Sequence, residues 1–141
     1  MKISARNIFT GTVASIKKGA VNAEISLNLK GGAAIVATIT NGSVDALGLS
    51  IGKEASAIVK ASTVIIGTDL HNAKVSARNV ICGKIAKIIE GPVNAEVDVE
   101  IGSGNTMTAV ITVESSKRLG LKEGGHACTM FKASSVIIGV N

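Results

Sequence analysis

Residues 21–30 read Val21-Asn22-Ala23-Glu24-Ile25-Ser26-Leu27-Asn28-Leu29-Lys30, apolar at every odd position and polar at every even one. A period of two marks a strand with one face in a core and the other in water. The alternation returns 72 residues later, where Val93, Ala95, Val97, Val99 and Ile101 alternate with Asn94, Glu96, Asp98 and Glu100. A β-structured unit used twice is the simplest explanation.

The repeat extends to both ends of the chain without a gap. Ser4-Ala5-Arg6-Asn7 recurs as Ser76-Ala77-Arg78-Asn79, Gly11 as Gly83, Gly19 as Gly91, and Val21 to Glu24 as Val93 to Glu96. Ile39-Thr40 recurs as Ile111-Thr112, Ser43 as Ser115, Leu47-Gly48-Leu49 as Leu119-Gly120-Leu121, and Lys60-Ala61-Ser62 as Lys132-Ala133-Ser134. The seam falls at Asp69–Lys74, which divides the chain into units 1–70 and 71–141.

Outward from β-patterned residues 21–30, each half reads as five strands and one short helix. A long first strand over Ser4–Ile16, bending at Gly11, precedes a turn at Lys18-Gly19. Gly31-Gly32 separates the second strand from a third at Ala34–Thr40. Ser43–Leu49 is the helical stretch, with Ser43 as its N-cap and Gly48 near its end. Strands at Ala55–Lys60 and Ser62–Gly67 complete the half. The fold class expected is all-β, with two tandem OB-like five-stranded barrels, each carrying one short helix.

Composition supports this and narrows the function. Hydrophobic residues make up 46% of the 141, mostly β-branched or small, with no Trp, no Tyr and only Phe9 and Phe131. A unit of about 70 residues has little core of its own, so packing between units or copies is expected. The formal net charge is +5, spread along the chain. It favours an anionic partner, but the shortage of aromatic stacking platforms argues against nucleic acid. No apolar run serves as a secretion signal or a membrane span, so a soluble cytoplasmic protein is expected.

Cys82 and Cys128 fall opposite Thr10 and Ser56 in the repeat, and His126 opposite Glu54. These residues lack counterparts in the first half, and no base is positioned beside either thiol. They read as ordinary residues, too few and too separated for a disulfide framework or a zinc site. No catalytic residue, metal site or cofactor is expected.

Polar repetition calls for another reason than a shared core. Ser4/Ser76, Arg6/Arg78, Thr40/Thr112, Ser43/Ser115, Lys60/Lys132 and Ser62/Ser134 supply hydroxyls, a guanidinium and an ammonium, and no carboxylate. This set of donors suits a tetrahedral oxyanion, with the start of the short helix adding backbone N–H groups. Taken singly, Ser-Ala-Arg-Asn also reads as a strand start with Asn7 in a turn contact, and Lys60-Ala61-Ser62 as a solvated turn. Gly19-Ala20-Val21-Asn22-Ala23-Glu24 reads equally as hairpin register or as a second anion site of neutral donors. Glu24, ionised, is excluded from facing an anion directly.

These motifs, spaced as they are, resemble the molbindins, small molybdate-binding proteins built of Mop domains, in their two-domain form. The resemblance covers both halves and implies OB-like barrels, molybdate or tungstate as bound ligand, a role in molybdenum storage or homeostasis, and homotrimers with sites at subunit interfaces. It implies contacts from Ser4, Arg6, Thr40, Ser43, Lys60, Ala61 and Ser62, and from Ser76, Arg78, Thr112, Ser115, Lys132, Ala133 and Ser134. A second anion site would use Gly19, Val21, Asn22 and Ala23 with Gly91, Val93, Asn94 and Ala95. Similar Mop pairs act as ligand-sensing modules of molybdate-responsive transcription regulators. The sequence starts at the first motif with no room for a helix-turn-helix, which argues against a self-contained regulator. Glu114, where the first half has Gly42, sets a carboxylate beside the second-half pocket. The competing readings are an OB-type nucleic-acid binder and a cofactor-processing enzyme.

Overall fold

The alternation at the start of the sequence becomes strand β2 (Asn22–Leu29), in which Ala23, Ile25, Leu27 and Leu29 are buried while Asn22 and Asn28 face solvent. In the computed structural model, which describes residues 1–141, it lies between β1 (Asn7–Lys18) and β3 (Ala34–Thr40). Helix α1 (Asn41–Ala46) and β4 (Glu54–Val59) follow, then a 3₁₀ turn (Ala61–Thr63) and β5 (Ile65–Gly67). The second half repeats this as β6 (Asn79–Glu90), β7 (Asn94–Gly102), β8 (Asn105–Thr112), α2 (Val113–Arg118), β9 (His126–Phe131), a 3₁₀ turn (Ala133–Ser135) and β10 (Val136–Gly139).

The strands form two five-stranded sheets of OB-like character, ordered β10-β4-β1-β2-β3 and β5-β9-β6-β7-β8. Each half thus gives its last strand to the other. Val136 to Gly139 pair antiparallel with Val59 to Ser56, and Ile65 to Gly67 with Met130 to Cys128. The cause is local. After β4, the 3₁₀ turn, closed by the Thr63 hydroxyl donating to Lys60 O at 2.7 Å, turns the chain away instead of folding it back as a hairpin. The hydrophobic core is correspondingly continuous, running from Phe9, Val13 and Ile25 through Val59 and Ile66 to Ile85, Val97, Met107 and Phe131.

Three local expectations are corrected. The bend of the first strand lies at the register shift between Val13 and Ser15, not at Gly11. Gly11 is glycine because a Cβ there would meet Asn28 O at 2.5 Å, and Gly83 faces the backbone of Glu100 in the same way. The helix cap is Thr40, not Ser43: Thr40 is extended (φ −72°, ψ 151°) and its hydroxyl accepts from Ser43 N–H at 3.1 Å. Thr112 caps α2 on Ser115 in the same way at 3.0 Å.

The third correction concerns the cysteines. Cys82 and Cys128 are directly opposite on β6 and β9 and form a disulfide. Their separation of 46 residues in sequence conceals adjacency in the sheet. The equivalent residues of the first half, Thr10 and Ser56, share a hydroxyl hydrogen bond of 3.1 Å.

Candidate functional site

Arg6 and Lys60 lie far apart in sequence, yet the β1–β4 register brings them together. Asn7 pairs with Val59, so the next residues outward on the two strands are Arg6 and Lys60, side by side at the end of the sheet. Lys60 opens the 3₁₀ turn, in which Ala61 is buried and Ser62 exposed. Ser4, two residues before Arg6, is exposed at the same corner. The second half builds this again, because Asn79 pairs with Phe131 and places Arg78 beside Lys132, ahead of Ala133, Ser134 and the exposed Ser76.

Each corner is pinned to the opposite half by an asparagine. Asn7 is fully buried; its amide donates to Thr108 O and accepts from Thr108 N–H, both at 2.8 Å. Asn79 does the same with the O and N–H of Val36, again at 2.8 Å. One side-chain amide thus satisfies both backbone groups of an edge-strand residue, as a neighbouring strand would. The 3₁₀ turn at Ala61–Thr63 packs on β8, and the one at Ala133–Ser135 on β3.

Ser4 and Ser62, with Ser76 and Ser134, supply hydroxyls within the corners, and the helix-capping hydroxyls lie on elements that adjoin the 3₁₀ turns of the other half. Thr40 and Ser43, joined through their hydroxyls at 2.8 Å, line a hollow with Val136, Ile137 and Ile138, directly after the Lys132-Ala133-Ser134 turn. Thr112 and Ser115, also 2.8 Å apart, occupy the equivalent place on β8 and α2. The residues proposed from sequence are thus drawn together only in part. Lys60–Ser62 adjoin β8, whose last residue is Thr112, and Lys132–Ser134 adjoin β3, whose last residue is Thr40.

Sequence reasoning missed the carboxylates. Arg6 donates from Nη1 and Nη2 to the two oxygens of Glu96, at 2.8 and 3.2 Å, and Arg78 grips Glu24 at 2.7 and 2.9 Å. The direct hydrogen bond from the arginine is the main cause holding Glu96 and Glu24 below the usual carboxylate range. Lys60 and Lys132 are in no ion pair. The recurrence of Glu24 as Glu96 was a legible signal, but its partner in each case lies in the other half. Asn7 likewise anchors the halves instead of making a turn contact.

The Gly19–Ala23 element forms the β1–β2 turn. Gly19 N–H donates to Asn22 O at 2.7 Å, Asn41 N–H to Val21 O at 2.9 Å, and Ala23 is buried. Val21 and Asn22 are left exposed at the tip. Gly91, Val93, Asn94 and Ala95 repeat this, and Val93 adjoins Thr112 and Glu114 along one hollow.

Residues 3–66 and 75–138 each match the TOBE domain. The chain belongs to the TOBE-domain family. Its tandem Mop-type domains are 45% identical over 140 residues to the molybdenum transport protein ModE of Azotobacter vinelandii, and 40% identical over 140 to the molybdenum-pterin-binding protein MopA of Rhodobacter capsulatus. Those alignments cover 99% of the chain but 52% and 53% of the relatives, so the chain spans about half their length. A single-domain relative, the probable molybdenum-pterin-binding protein of Haemophilus influenzae, is matched over its whole length at 45% identity across 69 residues. Among solved structures, the cytoplasmic molybdate-binding protein ModG with molybdate bound is 46% identical, with a TM-score of 0.97 and full coverage of both chains. The sequence-based expectation of a Mop-type protein with OB-like barrels therefore holds for this tandem TOBE chain.

Proposed function

We propose that this tandem TOBE protein is a non-enzymatic molybdate and tungstate binder that stores or buffers the oxyanion in the cytoplasm. The observation that supports the reading is the doubled corner, where Arg6 stands beside Lys60, and Arg78 beside Lys132, each next to a 3₁₀ turn packed on β8 or β3 of the opposite half. Two cations match the charge of a dianion, and fixed O–H and N–H donors suit four acceptor oxygens. The sites use Ser4, Arg6, Lys60, Ala61 and Ser62 with Thr112 and Ser115, and the reciprocal set with Thr40 and Ser43. In a homotrimer, neighbouring copies close these corners, and the exposed Val21/Asn22 and Val93/Asn94 tips supply a second, neutral kind of anion site. Residues 1–70 and 71–141 serve as two interlocked binding units.

Both phenylalanines are buried, at 5% and 1% exposure, so no aromatic platform is offered to a pterin ring or to nucleic-acid bases. No helix is long and apolar enough to cross a membrane. Isothermal titration with molybdate, tungstate, sulfate, phosphate and an oligonucleotide tests the reading, with light scattering for the trimer. Molybdate and tungstate should bind far more tightly than sulfate, because fixed donors cannot close on a smaller anion. Equal affinity for sulfate and molybdate, or tight binding of the oligonucleotide alone, defeats it.

A further inference from the structure

We propose that Glu96 and Glu24 are the resident counter-ions of the two corners, each occupying the guanidinium fork that an oxyanion would take and being displaced from it when the oxyanion binds. This rests on the functional reading above and adds a mechanism that sets affinity. A carboxylate presents two oxygens to the Arg fork, as an edge of a tetrahedral oxyanion does, so the two compete for the same pair of N–H groups. Both pairs are bidentate and related by the repeat. Each joins one half to the other.

The surroundings permit exchange. The arginine side chains are 51% and 55% exposed and the glutamates 35% and 34%, so a released carboxylate reaches water without a buried charge being left behind. It also has a second cation to meet. Lys17 stands directly across the β1–β2 pair from Glu24. In the second half the residue opposite Glu96 is Ile89, and Lys87 lies diagonally, opposite Asp98. The charges of Lys17 and Lys87 already act on these carboxylates in the arginine-bound state. Each glutamate is therefore placed between two cations and can pass from one to the other.

Occupied forks weaken binding by the fraction of time they are occupied. If a fork is filled about nine-tenths of the time, abolishing the carboxylate tightens apparent affinity about tenfold. A merely structural ion pair predicts the opposite, because its loss would let the arginine wander from the site.

The experiment is titration calorimetry of the full chain with sodium molybdate, comparing wild type with Glu24→Gln, Glu96→Gln, the double variant and Lys17→Met, each checked for folding by thermal melting. The glutamine variants should bind about tenfold more tightly, and Lys17→Met more weakly, since Glu24 is then left with Arg78 alone. Should a glutamine variant fail to fold, Glu24→Asp and Glu96→Asp, with shorter reach, should give a smaller gain of the same sign. Binding by wild type with equal or weaker binding by the glutamine variants overturns the counter-ion role and leaves the oxyanion reading intact. Binding by the double variant but not by wild type supports the role. Failure of every protein to bind overturns both.

Discussion

Replacing Asn7 by alanine should cost several kcal/mol of stability, and the structure allows the size to be worked out. The amide is fully buried and makes two 2.8 Å hydrogen bonds to Thr108, itself only 7% exposed. Losing both bonds orphans the N–H and C=O of Thr108, each at a cost of about 1–3 kcal/mol when water cannot reach it, a penalty that replaces the bond's net worth of about 1 kcal/mol. Allowing for partial relaxation, Asn7→Ala should destabilise by roughly 3–5 kcal/mol. Asn79→Ala should cost less, because its partner Val36 is only half-buried. Asn7→Asp keeps the shape but sets a carboxylate oxygen against Thr108 O, and should be at least as damaging as alanine. Urea unfolding followed by far-UV circular dichroism measures all three. One continuous core implies a single transition. An Asn7→Ala loss below about 1 kcal/mol, or equal losses for both alanines, would refute the argument that these amides stand in for a neighbouring strand.

Arg6→Ala or Lys60→Ala should weaken molybdate binding about a hundredfold at the affected corners while the fold survives, since each removes one of the two cations proposed to hold the dianion; calorimetry with circular dichroism reads both. Because their arginines hold Glu24 and Glu96 below the usual carboxylate range, the two glutamates remain ionised when folded at pH values that protonate them in the unfolded chain. Their stabilisation is complete above about pH 4.3 and is lost as pH falls through the lower folded value, so the melting-temperature gap between wild type and the Glu24→Gln/Glu96→Gln variant should be constant above about pH 5 and close below it. Cys82→Ser/Cys128→Ser should leave molybdate affinity unchanged and lower stability, by about 4 kcal/mol in the chain-entropy view of a crosslink spanning 46 residues. A large change in affinity with little change in stability would contradict the placement of the Cys82–Cys128 pair, three register positions along β6 and β9 from Asn79 and Phe131, outside the corners.

Much of the fold was legible because a period of two in β-branched sequence admits few other structures. The strand expected at Ala34–Thr40 is β3 to the residue, and that expected at Ala55–Lys60 is displaced by one from Glu54–Val59. The exchange of β5 and β10 was not legible, since Ile65-Ile66-Gly67 reads the same whichever sheet receives it. Its direction is decided by the geometry of a three-residue 3₁₀ turn, and Lys60-Ala61-Ser62 is too short and ordinary to announce one. Register was also invisible, and with it the adjacency of Cys82 to Cys128.

What the candidate residues touch was only partly legible, and the strand exchange explains why. A repeat comparison sorts residues by recurrence, so Arg6, Thr40 and Lys60 present themselves as one group and Arg78, Thr112 and Lys132 as another. In an interlocked dimer of halves, each recurring residue meets the twin of its sequence neighbour: Arg6 meets Glu96 rather than Glu24, and Asn7 meets Thr108 rather than Val36. A repeat fixes which residue types converge, but it cannot say whether convergence occurs within a half or across the pair. That choice matters physically. If the corners closed within each half, anion binding would leave the contact between the halves untouched. Arg6–Glu96 and Arg78–Glu24 are part of the adhesion between the units, so on the proposed reading an anion that takes an arginine replaces a tie between the halves with one through itself.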